Sequence, residues 1–400
     1  MSAEGNAGKI ANLERALSRR RFLTGAAALP VLFTPAISRA QTLRIGAVLP
    51  LSGNLSRFGS QARLGLDLAA EQINEAGGIL GERISIDYRD DAANPARAEV
   101  AARSLTSDPD VVAIAGPVTS ASRNAVSATM VTTGTPLLYA TDYEGGDCGK
   151  TLFYFNSVPN QSAEPLMRFL MDEAGTRAYL LGADYIWPHA MFDACAKVIG
   201  EEGGTVAGRR FVPLAGLSDY DPVLSDIRAS DTSVLVLALP GDTHQEFMAA
   251  AGTAGILQNL TIGNLGAVAL YGSAQYDGIA AYGCAPFIET DASEAAQAFV
   301  ALARRKAGSD ATISAYAATH YNALNALKLA CERSGSVSRD AIAAGLAGLE
   351  YDTPSGSSMI DAATRHSTLA MGIARATAQG PQLVKPPVAI APQASCITGG

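Results

Sequence analysis

From residue 42 onward, short runs of branched and aliphatic residues alternate with longer stretches whose apolar positions recur every three or four residues. L-R-I-G-A-V-L-P predicts a buried strand that Pro50 ends. Residues 60–76, with Leu64, Leu68 and Ile73 on one face, predict an amphipathic helix stopped by Gly77 and Gly78. The alternation continues with a strand over 84–88, a helix over 95–106, a strand over 111–115, a helix over 122–132 and a strand over 136–139. A second series starts near Gln161: helix to 174, strand 178–181, helix 190–202, strand 205–212, helix 220–229, strand 233–238, helix 243–254. Helices over 292–307 and 313–334 follow, then Y-D-T-P-S-G-S-S-M-I-D, a strand-like segment with a turn at Pro354. Strands spaced by helices of this length imply parallel sheets with right-handed crossovers, and two series imply two doubly wound α/β lobes. Open parallel sheets bind ligands beyond the carboxyl ends of their strands, so the loops after the strands of both lobes are expected to face one cleft.

The first forty residues read differently. S-R-R-R-F-L-T at 18–24 is followed by an uncharged stretch to Ser38 and a small-residue cut at Ser38, Arg39, Ala40, the pattern of an export leader. Pro30 and Pro35 interrupt the apolar stretch, which is shorter than a membrane-spanning helix needs. Arg19 and Arg20 resemble the twin-arginine export signal, and no Cys stands at the cut, so the mature product is expected to be free in the periplasm with no direct membrane insertion. The whole chain carries a net charge of -8, and removing the leader leaves 24 basic and 36 acidic residues. That acidity argues against nucleic acid as a partner. Cys148, Cys195, Cys284, Cys331 and Cys396 form no C-x-x-C pair; Cys195 and Cys331 fall in helical patterns, and a bridge among the other three is permitted without the sequence choosing it.

The chain lacks G-x-x-x-x-G-K-[ST], G-x-G-x-x-G after a strand, G-x-S-x-G and H-E-x-x-H, and its four His residues stand singly, so no metal, no cofactor and no catalytic residue is expected. Four post-strand segments are informative. G-P-V-T-S-A-S-R places Thr119, Ser120 and Ser122 at a helix start, where hydroxyls and free N–H groups suit either a ligand oxygen or plain helix capping. L-Y-A-T-D-Y-E-G supplies Tyr139, Thr141 and Asp142, and G-A-D-Y-I-W-P-H puts Tyr185 and Trp187 directly after a strand, in a post-strand loop. L-A-L-P-G-D-T brings Pro240, Gly241 and Asp242 within reach of a ligand.

At these residues the sequence resembles a known family. Q-T-L-R-I-G-A-V-L-P-L-S-G together with A-A-E-Q-I-N-E-A-G-G-I-L-G is similar to the opening of periplasmic solute-binding proteins of the branched-chain amino acid type. Within that group, G-x-x-T-S-A-S-R, Y-E-G, P-N-Q, G-A-D-Y-I-W-P and P-G-D resemble the subfamily that binds urea and short-chain amides. The resemblance covers residues 42–375 and implies the type I periplasmic binding protein fold, with an N-terminal lobe of 41–158 plus 287–349, a C-terminal lobe of 159–286 plus 350–385 and a tail of 386–400. It further implies three crossovers, near Pro159, Pro286 and Tyr351, and a non-catalytic receptor that delivers a small solute to inner-membrane ABC permease subunits, the alternative being a periplasmic sensory ligand-binding protein. By motif position, the ligand contacts fall on Ser120 and Thr141, the aromatic walls on Tyr139, Tyr185 and Trp187, and the opposing backbone on Pro240 and Gly241. Two positions depart from the pattern. Val118 replaces an aromatic, and Asp142 stands where Pro is frequent, so a wider pocket with a carboxylate able to recruit an amino or amidinium group is expected. The acidic residue that amino-acid binders use opposite the ammonium is here Leu265, which leaves Asp142 or Asp242 to take its place if the solute is an amino acid.

Overall fold

The structure, a computed structural model, describes residues 42–266, 274–393 and 396; the expected leader lies outside them. Its first sheet has five parallel strands in the order β2-β1-β3-β4-β5, namely β1 (Leu43–Leu49), β2 (Ile84–Asp90), β3 (Val111–Ala115), β4 (Leu137–Tyr139) and β5 (Leu152–Tyr154). Every residue of β3 is buried, as V-V-A-I-A demands of a strand covered on both faces. The helices between are α1 (Ser56–Glu75), α2 (Pro95–Thr106) and α3 (Ser120–Thr133). Asn94 caps α2 by accepting from the Arg97 N–H at 3.1 Å, Thr119 caps α3 by accepting from the Ser122 N–H at 3.1 Å, and left-handed Gly134 ends α3.

The second sheet holds β6 (Arg177–Ala183), β7 (Thr205–Val212), β8 (Val234–Ala238), β9 (Thr261–Asn264) and β10 (Ala280–Ala285) in parallel. β13 (Leu369–Thr377) and β14 (Gly380–Ile390) extend it antiparallel at the β10 edge. Its crossovers run through α4 (Ala163–Ala174), α5 (Ile186–Glu201), α6 (Asp221–Ala229) and α7 (Gly241–Thr253). α8 (Glu294–Ala307), α9 (Ala315–Ser334) and α10 (Arg339–Leu346) return to the first sheet's side, and α9 lies so close to α1 that a Cβ on Gly65 would meet the Ala317 carbonyl at 2.0 Å. That close approach brings the N-terminal ends of α1 and α9, with Phe58 and Tyr316, to one place; the two rings meet edge to face at 4.9 Å.

Three expectations change. Residues 386–390, read as a tail, are the end of β14, held in the sheet by pairs such as Leu369 with Ile390. The hairpin of β11 (Glu350–Thr353) and β12 (Gly356–Met359) packs through Tyr351 and Ile360 into the core under α9, so the third crossing falls later, where the Ser367 N–H donates to the Tyr154 carbonyl at 3.0 Å. Trp187 stands in the first turn of α5 rather than in a loop, because Pro188 fits a first helical turn. Cys148 is bonded to Cys396, while Cys195, Cys284 and Cys331 are buried free thiols.

Candidate functional site

A cavity with an empty volume of about 450 Å³, counting its mouth, lies where the carboxyl ends of both sheets face each other. The first sheet contributes Val118, Thr119 and Ser120 after β3, and Thr141 and Asp142 after β4. Leu55 and Phe58 reach it from the start of α1, and Tyr316 from the first turn of α9. The second sheet supplies Tyr185 and Trp187 after β6, Leu239 and Pro240 after β8, and Leu265 and Gly266 after β9. Each of these segments follows a strand or opens a helix, which is why backbone ends and side chains of opposite lobes converge there.

Seven of the sequence-predicted residues therefore line one hollow: Val118, Ser120, Thr141, Asp142, Tyr185, Trp187 and Pro240. Three do not. Tyr139 is wholly buried behind the wall, where its hydroxyl donates to the Val118 carbonyl at 2.9 Å and the Arg123 guanidinium lies 5.4 Å from its ring; as the last residue of β4 it turns into the sheet's core. Gly241, with φ of +60°, packs its α-carbon against the loop after β1. Asp242 turns its side chain to solvent, and only its N–H faces the other lobe, donating to Asn54 Oδ1 at 2.5 Å.

The polar floor is ordered by a buried ion pair. Arg123, 3% exposed, donates to Glu144 Oε1 at 2.8 Å, and Ser120 Oγ donates to Glu144 Oε2 at 2.6 Å. Tyr143 carries the guanidinium 4.4 Å over its ring and stacks on Tyr154 at 4.5 Å; His366 continues the stack at 4.2 Å from Tyr154. Burial pulls the His366 imidazole down to about 4, so it is neutral, with Nδ1–H donating to the Thr364 carbonyl at 2.7 Å and Nε2 against the Tyr143 hydroxyl. Asp142, half-buried, accepts from the Tyr316 hydroxyl at Oδ1. Burial raises its carboxyl to about 6, against the Tyr316 hydrogen bond that lowers it. A Cβ added to Gly266 would lie 3.6 Å from Trp187 Cη2 and 3.9 Å from Asp142 Oδ2, so ring and carboxylate flank that glycine. Trp187 Nε1 is buried without a hydrogen-bond partner, and the Tyr185 ring runs within 20° of the indole plane at 6.5 Å.

Sequence reasoning missed Leu55, Phe58, Leu239, Gly266 and Tyr316 on the wall, and Glu144 and Asn54 behind and beside it. Glu144 stood in the quoted Y-E-G, where its carboxylate carried the only available signal; Phe58 and Tyr316 read as ordinary apolar helix positions.

A family profile described as periplasmic binding protein matches residues 42–381. The chain belongs to the periplasmic binding protein family. The fold is the type I form, two α/β lobes with parallel sheets. Among solved structures, a solute-binding protein of an ABC transporter from Rhodopseudomonas palustris in complex with 3,4-dihydroxybenzoic acid superposes with a TM-score of 0.78 at 18% identity, covering 89% of this chain and 99% of that one. The branched-chain amino acid substrate-binding protein LivJ from Streptococcus pneumoniae, in complex with isoleucine, gives 0.73 at 23% identity over 86% of this chain and 100% of that one. A Leu/Ile/Val-binding protein, BraC3 of Rhizobium johnstonii, is 37% identical over 78 residues, which span 20% of this chain and 21% of that protein. The "Leu/Ile/Val-binding protein homolog 8" of Brucella abortus is 36% identical over 28% of this chain and 27% of its own length. These curated relatives are thus matched over less than a third of their length. No helix among the described residues is long and apolar enough to cross a membrane.

Proposed function

We propose that the protein is a periplasmic receptor that captures a small polar solute, of the urea or short-chain amide kind or a related N–H-bearing compound, and presents it to inner-membrane ABC permease subunits without chemical turnover. The observation that carries this reading is the shared hollow: Ser120, Thr141 and Asp142 from one lobe face Tyr185, Trp187 and Pro240 from the other. A solute bridging them gains both sets of contacts only when the lobes are together, so binding raises the population of that state. Thr141 Oγ1 holds the Pro117 carbonyl at 3.4 Å, a long bond that leaves its proton free to turn toward a guest oxygen, and the Trp187 N–H would find its missing acceptor in the same guest. Export by the twin-arginine leader belongs to this reading.

Asp142 supports a second solute class. A branched-chain α-amino acid needs an anion for its ammonium and apolar wall for its side chain; Asp142 takes the first role that Leu265 vacates, and Leu55, Phe58, Leu239 and Leu265 supply the second. Calorimetric titration of the mature protein with urea, acetamide, formamide, leucine and isoleucine tests both. One-site uptake with every molecule of solute recovered unchanged is expected, and hydrolysis of an amide would overturn the receptor reading.

A further inference from the structure

The hydroxyl of Ser120 has one proton, and Glu144 Oε2 takes it at 2.6 Å. Glu144 is fixed in that task because its other oxygen accepts from the buried Arg123 at 2.8 Å, and an ionised carboxylate only accepts. Toward the cavity Ser120 Oγ therefore presents lone pairs alone. Asp142 does the same: Oδ1 is occupied by the Tyr316 hydroxyl, and Oδ2 remains for the cavity beside Gly266. Two acceptors from neighbouring loops thus stand at one end of the hollow, and no Lys, Arg or His is among the described residues that line it. Arg123, behind the wall, is paired through Nη2 with Glu144. A carboxylate placed here would find no hydroxyl proton on Ser120, only the backbone N–H groups that open α3, and would face the charge of Asp142.

We infer that this end of the cleft reads a cationic, N–H-bearing nitrogen head, an amidinium or primary ammonium, donating to Ser120 Oγ and Asp142 Oδ2 with its charge held against the aromatic wall. Phe58, Tyr185, Trp187 and Tyr316 line the same cavity, and a flat cation gains from ring faces as well as from the carboxylate. Burial of Asp142 agrees: a carboxylate raised to about 6 is one that lacks enough partners for its charge. The inference rests on the receptor reading and narrows its solute from polar to positively charged.

Three near-isosteric probes separate the two. Acetamidinium carries a positive charge and donors only, acetamide is neutral, and acetate is an anion with acceptors only. Each is titrated into the mature wild-type protein by calorimetry, with Trp187 emission followed in parallel. Acetamidinium binding about tenfold or more tighter than acetamide, with no acetate binding, is expected. In Asp142→Asn, which keeps size and shape, the ranking should invert in favour of acetamide. If wild type prefers acetamide or acetate, the charge assignment is overturned while the receptor reading stands. If no probe, amide or amino acid perturbs Trp187 or releases heat, both fall together.

Discussion

Asn54 and Gly241 meet across the cleft with no room between them: a Cβ built on Gly241 would lie 2.3 Å from the Asn54 carbonyl oxygen. Asn54 belongs to the loop between β1 and α1, and Gly241 opens α7 of the other lobe. The Asn54 amide donates to the Leu214 carbonyl at 2.8 Å and to Thr243 Oγ1 at 3.3 Å, while its oxygen accepts from the Asp242 N–H. Gly241 is thus required twice, by its φ of +60° and by the backbone it touches, so the Gly and Asp of the P-G-D motif serve lobe contact while Pro240 lines the cavity.

Asn54→Ala removes three bonds that exist only when the lobes are together. Solute affinity should fall by about tenfold or more, at roughly 0.5–1.5 kcal/mol net per bond, and the radius of gyration in solution should rise at subsaturating solute. An unchanged affinity and radius would show that these bonds do not bear on closure.

Glu144→Ala leaves the Arg123 guanidinium buried at 3% exposure without its counter-ion. Breaking a buried pair from one side typically destabilises by about 3–5 kcal/mol. Urea denaturation should show a drop of that order, with Glu144→Gln losing less because its amide oxygen can still accept from Arg123 while its amide N–H donates to Ser120 Oγ. A loss below about 1 kcal/mol for the alanine variant would mean that water reaches Arg123.

Solute binding should depend on pH through Asp142. With its carboxyl raised to about 6, the empty site holds a proton below that value, and a cationic head must displace it. Affinity for acetamidinium should therefore rise as pH goes from about 5 to 7. Other groups near that carboxylate are the hydroxyls of Tyr316 and Tyr185, which stay protonated, and Glu144, which is paired with Arg123. The stability of the solute-free protein runs the other way: a raised carboxyl binds more protons folded than unfolded, so stability falls as pH rises from the ordinary carboxyl range through about 6. Calorimetry and thermal melts across that window check both signs, and Asp142→Asn should flatten both slopes.

The Cys148–Cys396 bridge closes a loop of 248 residues, which in the chain-entropy view restricts the unfolded state strongly. Replacing both with Ser should lower the melting temperature by an amount equivalent to about 2–5 kcal/mol, without altering solute affinity, since neither residue lines the cavity. A shift in affinity would tie the bridge to closure.

Much of the architecture was legible in the alternation of strand and helix patterns: β3, buried along its whole length, and the edge strand β7 fall where the pattern placed them, and α2 spans its expected residues. Two helices start earlier than the periodicity indicated. α1 begins at Ser56, four residues before the apolar pattern suggested, and α5 begins at Ile186 because Pro188 is tolerated in a first turn. β13 and β14 were not read at all; β14 is the edge strand, and its G-P-Q-L-V-K-P-P-V-A-I carries prolines that argue against a strand except at such an edge. In the site, residues placed directly after strands were found, because topology alone sends them to the cleft. Tyr139 failed by one position, since the last residue of a strand alternates inward, and Phe58 and Tyr316 were hidden because their place depends on how α1 and α9 pack, which local pattern does not encode.

The chain holds a single Trp, and Trp187 stands on the cavity wall, so its fluorescence is a probe placed at the cleft. The most direct measurement is Trp187 emission and binding heat recorded on the same titration. A saturable spectral change with the same midpoint as the heat is the outcome this account predicts. Tight binding that leaves the emission untouched would place the solute elsewhere and contradict it.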